Sequence, residues 1–352
     1  MEVRQLKTEL PRIIAVGPNM IEQIVPIIQD LETSVPVTIV HDNITWGIAG
    51  KKIHELLEDA TFEPHNIEVT GPFLAEAERV AHVAEETGSK FIIGVGGGSV
   101  IDTAKYGGII SKIPFISVPT AASHDGIASM RASLIVEGKK KSFEARPPIA
   151  VIADLTVISK APFRFLAAGS GDTIANKTAV LDWELAHRVK GERIGEYPKV
   201  LSEMTAEMII RDANLIARGD IVAAKIVTKA LITSSMAMCI AGSSRPASGS
   251  EHLFSHALDM ILDKPALHGE QCGIGTIIMM YLHGGNWEQI RDTLKTIGAP
   301  VTAKEADIPE EAIIEALLMA HTIRPERYTI LGSNGLTYSA AVNAAETTGV
   351  IS

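Results

Sequence analysis

The chain has 352 residues, 46% of them hydrophobic and 21% charged, which suffices for a large core and for two domains. A formal net charge of -10 with no basic run beyond the lysines at 139–141 argues against a nucleic-acid partner, and two cysteines, Cys239 and Cys272, exclude a disulfide framework. Residues 1–7 hold no apolar signal core and the apolar stretch 230–244 is short for a membrane span, so a cytoplasmic protein with no membrane span is expected.

Taken in order, the first 120 residues alternate short β-branched runs with amphipathic stretches. Strands are expected at 12–16, 35–41, 67–69, 91–95 and 115–118, with helices near 20–31, 48–57, 72–88 and between the last two strands. Strand and helix alternating at this interval imply a parallel sheet with right-handed crossovers, a nucleotide-binding type of domain. The runs 132–136 and 149–152 read as a β-hairpin, with Glu137, Gly138 and the three lysines in its solvated turn. From about residue 161 strand signals stop, and helices are expected over 169–190, 204–217, 222–240 and 310–319. The chain therefore divides into an α/β domain, 1–160, and an all-α domain, 161–352.

Gly96, Gly97 and Gly98 follow the fourth strand and precede a helix. Glycines there let backbone N–H groups approach a pyrophosphate at the positive end of the helix, although tight strand-to-helix packing uses glycine too. Ser99 with Asp102 three residues on reads as a capping box. The loop after the fifth strand, with Thr120, Ala121, Ala122, Ser123, His124, Asp125, Gly126 and Ser129, is expected at the same carboxyl edge of the sheet. Its small hydroxylated residues can meet a cofactor and Asp125 a polar substrate. An ordinary turn has the same residue types. Asp42, at the end of the second strand, can accept the adenine ribose hydroxyls and disfavour a 2′-phosphate, or simply begin a turn.

Three of eleven histidines fall between 252 and 268. With 251–262 helical, His252 and His256 lie one turn apart on one face, and His268 returns in the loop beyond Pro265, beside Gly269. Imidazoles so arranged suit zinc, iron, nickel or copper, and core histidines bonded to carbonyls are the alternative. A catalytic metal also needs a carboxylate. Asp172 is the candidate, at a helix start after Gly169, Ser170 and Gly171, where a plain N-cap would look the same.

With these pieces in order, the chain resembles the family that joins group III alcohol dehydrogenases, glycerol dehydrogenases and dehydroquinate synthases. Within it, the glycine run with Ser99, Val100, Ile101 and Asp102, the run Ser123, His124, Asp125 and Gly126, the pair Gly171 and Asp172, and His252, His256 and His268 look like NAD(P)-dependent glycerol-1-phosphate dehydrogenases. The resemblance implies a dehydroquinate synthase-like fold: a parallel-sheet nucleotide-binding domain followed by a helical one. It assigns Asp172, His252 and His268 to a divalent metal, usually zinc, with nickel and iron open. It assigns Asp125, His256 and Asp172 to the substrate, and Gly97, Gly98, Ser99, Val100, Ile101, Thr120, Ala121, Ala122, Ser123 and Ser129 to NAD(H) or NADP(H). Iron-dependent relatives carry a further metal-binding histidine where this chain has Asn176, which favours zinc.

The function expected on this resemblance is reversible reduction of dihydroxyacetone phosphate to sn-glycerol 1-phosphate, the backbone of archaeal ether lipids, by a homo-oligomer. Oxidation of unphosphorylated glycerol, a sugar-phosphate cyclase and a non-catalytic metal-binding relative are the other readings. A phosphorylated substrate needs cationic or amide donors, and Asn176, Lys177 and Arg245 are the candidates. The absence of Arg or Lys near Asp42 before Lys51 leans the cofactor towards NAD(H).

Overall fold

The computed structural model describes residues 8–31, 35–263 and 265–352. The chain forms two compact units, Met1–Phe163 and Arg164–Ser352. In the first, the strands are β1 (Ile13–Gly17), β2 (Pro36–His41), β3 (Glu63–Glu68), β4 (Phe91–Gly96), β5 (Phe115–Pro119), β6 (Arg131–Val136), β7 (Lys139–Glu144) and β8 (Ala150–Asp154). Its helices are α1 (Ile24–Gln29), α2 (Asn43–Thr45), α3 (Lys51–Asp59), α4 (Leu74–Glu86), α5 (Gly98–Ser111) and α6 (Leu155–Ile158).

Six strands make one parallel sheet in the order β1-β8-β5-β4-β2-β3. β4, β5 and β8 are buried at every residue, as unbroken apolar runs must be when a sheet is covered on both faces. β2 lies between β3 and β4, so the winding direction reverses between β2 and β4, the place where open α/β sheets bind ligands at their carboxyl ends. Asp42 leaves β2 there, and the glycine run leaves β4. β5 ends level with them, since Gly96 pairs with Pro119 and the Thr120 N–H donates to the Gly96 carbonyl at 3.0 Å.

The expected hairpin is corrected in its second strand. β6 pairs antiparallel with β7, which contains the lysines, and Glu137 and Gly138 alone make the turn with φ of 54° and 74°. Residues 149–152 belong instead to the edge and body of β8, between β1 and β5. The reason is burial: β8 is apolar on both faces and belongs inside a parallel sheet, whereas β7 alternates and stays partly in water.

The second unit is helical: α7 (Phe163–Ile174), α8 (Asn176–Lys190), α9 (Glu196–Arg211), α10 (Ala213–Ile216), α11 (Ile221–Ala241), α12 (Ser250–Ile261), α13 (His268–Leu282), α14 (Trp287–Ile297), α15 (Glu310–Ile323) and α16 (Tyr338–Thr347). The expected helix over 169–190 is two, broken at Ala175, and that over 204–217 is the end of α9 plus α10. α11 starts where Asp220 accepts the N–H groups of Val222 and Ala223 and stops at Gly242, whose φ of 64° reverses the chain. Among the described residues α11 is the one helix long and apolar enough to cross a membrane. Most of its apolar stretch is buried inside the unit, where it packs on α9. α12 lies against both α13 and α15, which fixes the face that carries His252 and His256.

Candidate active site

Asp172, His252, His268 and Cys272 bring one donor atom each within 4.8 Å of one another. Asp172 Oδ1 is 3.5 Å from His252 Nε2 and 3.6 Å from His268 Nε2, and Cys272 Sγ is 3.6 Å from His268 Nε2. Two of these placements correct the sequence reading. Asp172 sits in the last turn of α7, not at a helix start, because Gly169, Ser170 and Gly171 continue the helix. His268 is the first residue of α13, not a loop residue. Both follow from one close crossing. A Cβ on Gly171 would lie 2.2 Å from the Gly269 carbonyl oxygen, and one on Gly269 would lie 1.9 Å from that of Ala168, so only glycine lets α7 and the start of α13 touch backbone to backbone.

Each imidazole is turned by a partner on its far nitrogen. His252 Nδ1–H donates to Glu251 Oε1 at 2.9 Å. Ser255 Oγ donates to Gln271 at 2.6 Å and therefore accepts from His268 Nδ1–H at 3.0 Å. Both Nε2 atoms are thereby directed at Asp172, the arrangement by which proteins orient metal-binding histidines. Glu251 is itself fully buried and accepts from the Gly249 N–H at 2.5 Å and the Thr178 hydroxyl at 2.7 Å. The start of α12 is pinned by buried Asp182. One carboxylate oxygen takes the Ser250 N–H and hydroxyl at 2.7 and 2.6 Å, and the other meets His283 Nε2 and the Ile330 N–H at 3.0 and 2.7 Å.

Charge in this cluster is poised for a cation. Burial alone would lower the basicity of His252, yet the groups around it hold its proton well above the ordinary imidazole range. Burial pushes the Cys272 thiol up to about 11, so at neutral pH it is uncharged and the support for a proton on His252 comes from Asp172 and Glu251. One carboxylate, two oriented imidazoles and an adjacent thiol form a donor set that fits zinc. His256 lies beside that group rather than in it, its ring 5.9 Å from that of His268 and 6.5 Å from that of His252.

In the first unit, α5 begins at Gly98 with Gly97 as N-cap and no side-chain cap. The expected capping box from Ser99 and Asp102 is not formed. Asp102 instead accepts the Ser133 N–H at 2.9 Å and pairs with buried Lys105 at 3.2 Å, tying α5 to β6. A Cβ on Gly97 would meet nothing within 4 Å, so the approach to the first turn of α5 is open over that residue. A Cβ on Gly98 would lie 1.9 Å from His124 Nε2, so this glycine serves the packing of the 120–129 loop. Val100 and Ile101 point into the core and offer only backbone. Thr120, Ala121, Ala122 and Ser129 are buried, Ser123 and Asp125 are half-buried, and Asp125 opens the turn Asp125–Ile127. Ser129 Oγ has no hydrogen-bond partner among the described residues.

Asp42 caps α2: its Oδ1 accepts the N–H groups of Ile44 and Thr45 at 2.9 and 2.7 Å. The three residues expected at a phosphate are tied to protein partners. Asn176 gives both amide hydrogens to Thr205 and Ser234 and is buried between α8, α9 and α11, which removes it from any ligand. Lys177 pairs with Glu207, and Arg245 pairs with Glu192 through Nε at 2.7 Å and through Nη2.

Residues 15–162 match the family model described as iron-containing alcohol dehydrogenase. The chain is 55% identical over 344 residues to a glycerol-1-phosphate dehydrogenase of Methanosarcina acetivorans, covering 98% of this chain and 96% of that protein, with NAD(P)+ in its name. It is 56% identical to the protein of the same name from Pyrococcus horikoshii, over 97% of this chain and 99% of the relative. The chain belongs to the glycerol-1-phosphate dehydrogenase family. It is thus an oxidoreductase, and its fold is that of the dehydroquinate synthase-like, iron-type alcohol dehydrogenases. Glycerol dehydrogenase from Schizosaccharomyces pombe superposes with a TM-score of 0.82 at 21% identity, over 99% of this chain and 91% of that one. Glu251 and Cys272 are the site residues that sequence reading missed. Their signals were a carboxylate directly before His252 and a thiol one helical turn after His268.

Proposed function

We propose that the protein reduces dihydroxyacetone phosphate to sn-glycerol 1-phosphate with NADH or NADPH, reversibly, and so supplies the glycerophosphate backbone of archaeal ether lipids. The observation that carries this reading is the pair of imidazoles whose Nε2 atoms Glu251 and Ser255 turn onto Asp172. The names of relatives at 55% and 56% identity supply the substrate and the dinucleotide. Asp172, His252 and His268 would hold a zinc ion, with nickel or iron as alternatives, and the bound ion would supply Lewis acidity at the substrate oxygens. Glu251 and Ser255, each bonded to an Nδ1–H, keep the two imidazoles aimed. His256 and Asp125 contact the substrate. The backbone N–H groups at the start of α5 receive the pyrophosphate over Gly97, where the chain leaves room for it. Thr120, Ala121, Ala122, Ser123 and Ser129 flank the dinucleotide. Asp42, with Oδ1 in the helix cap, presents Oδ2 to the adenine ribose and leans the preference towards NADH. The enzyme works in the cytoplasm as a homo-oligomer.

Chelation followed by reloading tests this. Protein stripped of metal should consume no NADH with dihydroxyacetone phosphate, and stoichiometric zinc should restore turnover. Turnover that survives complete removal of the metal would refute the assignment.

A further inference from the structure

A substrate that carries a phosphate dianion needs cations that the protein has not already neutralised. Three arginines of the second unit gather ahead of α12: Arg245, in the turn Arg245–Ala247, and Arg324 and Arg327, which follow α15. Arg245 is matched by Glu192, and its Nη1 donates to the Tyr328 carbonyl at 2.9 Å. The other two hold only neutral oxygens in their hydrogen bonds. Arg327 donates through Nη2 to Ser244 Oγ at 2.8 Å and through Nη1 to the Ser248 carbonyl, and Arg324 Nη1 reaches the same Ser244 hydroxyl at 3.5 Å. Among the described residues neither makes an ion pair, although both are half-buried. Two guanidinium groups therefore share one neutral hydroxyl.

We propose that Arg324 and Arg327 form the phosphate clamp of the substrate site, with Arg245 as a positioning residue that holds the 244–248 turn against them. This rests on the reading that the substrate is a phosphorylated triose, and it moves the phosphate role away from Asn176 and Lys177. Burial lowers the basicity of both groups, and for Arg327 the like charges of Arg324 and Arg245 lower it further; Glu326 near Arg324, and Glu192 and Glu251 near Arg327, offset this only in part. A guanidinium stays charged, so that strain is relieved by an arriving anion. The fork geometry of arginine suits phosphate oxygens in pairs. Position agrees with size. The Ser248 carbonyl that Arg327 holds lies on the extended segment that leads into α12, two residues before the helix begins and four before His252. In dihydroxyacetone phosphate only a methylene and an ester oxygen separate the carbonyl carbon from phosphorus. A clamp on the segment that leads into α12 therefore adjoins the helix that carries His252 and His256, as so short a substrate requires.

The test uses zinc-loaded protein and three variants: Arg327→Gln, Arg324→Gln and Arg327→Lys. Two quantities are measured: the ratio of kcat/KM for dihydroxyacetone phosphate to that for dihydroxyacetone, and the inhibition constant of inorganic phosphate. Loss of a charged hydrogen bond should lower the ratio about 10- to 100-fold in each Gln variant and weaken phosphate inhibition to match, with partial recovery in Arg327→Lys. Gln variants that keep zinc, melt like the parent and show both quantities unchanged would overturn the clamp. If the parent itself does not prefer dihydroxyacetone phosphate, the substrate reading fails. Phosphate inhibition then decides for the arginines alone, supporting an anion site if weakened in the variants and rejecting it if unchanged. Should Arg327→Gln not fold, Arg324→Gln carries the same comparison.

Discussion

Glu251→Gln separates the orienting role of this carboxylate from its structural one. The amide has the same shape, and its oxygen can still accept from the Gly249 N–H and His252 Nδ1–H, now at 2.5 and 2.9 Å. Its NH2 would face Thr178, whose hydroxyl already has a second acceptor in the Ala175 carbonyl at 3.1 Å and can turn to accept from the amide. Every buried polar group keeps a partner, so folding stability should stay within about 1 kcal/mol of the parent. What is lost is the negative charge behind His252. A partner of this kind typically contributes about 10- to 100-fold in metal affinity, or roughly 1.4 to 2.8 kcal/mol. Competition with a chromophoric zinc chelator reads the affinity, and thermal melting of the metal-free protein reads the fold. A melting point near the parent's with zinc affinity down by this factor is the expected result. Unchanged affinity in a folded variant would mean that Glu251 does not tune the site.

Asp172→Ala and His268→Ala should lose zinc and turnover together, whereas His256→Ala should keep most of the zinc and lose turnover; metal analysis beside steady-state rates distinguishes them. Gly97→Ala should fold normally, since a Cβ there meets nothing within 4 Å, yet raise the KM for NADH at least ~10-fold by standing over the first turn of α5. Gly98→Ala should instead lower the melting point, because its Cβ must displace His124. In metal-free protein the raised His252 adds stability that is full below the ordinary imidazole value and fades as pH rises through the folded value. Zinc must displace that proton, so affinity should increase with pH across the neutral range, and calorimetry should show proton release as a dependence on buffer ionisation heat. Asp42→Ala should cost about 1 kcal/mol through the lost cap and improve NADPH use relative to NADH; an unchanged cofactor ratio would leave Asp42 as a cap alone.

Much of this was legible because local pattern and final environment agree. The parallel sheet follows from apolar runs bounded by glycine and proline, and α12 follows from apolar residues at helical spacing, which put His252 and His256 on one face. Reading failed where a distant contact decides. Residues 149–152 look like any β-branched strand, and only pairing with β1 and β5 makes them central to the sheet. Asp102 fits a capping box by spacing, but Lys105 and the Ser133 N–H claim its carboxylate. Gly171 and Asp172 read as turn and cap because glycine usually interrupts a helix. Here the glycines exist for the crossing with Gly269, which no local pattern reports. Asn176 looked available for an anion until the fold supplied Thr205 and Ser234.

The most direct test of the account is the product formed from dihydroxyacetone phosphate by zinc-loaded protein with NADH, resolved by an enzymatic assay specific for each glycerol phosphate enantiomer. Sn-glycerol 1-phosphate in amounts equal to the NADH consumed is the expected result, with dihydroxyacetone reduced far more slowly. Formation of sn-glycerol 3-phosphate, or NADH consumption with dihydroxyacetone alone, would contradict it.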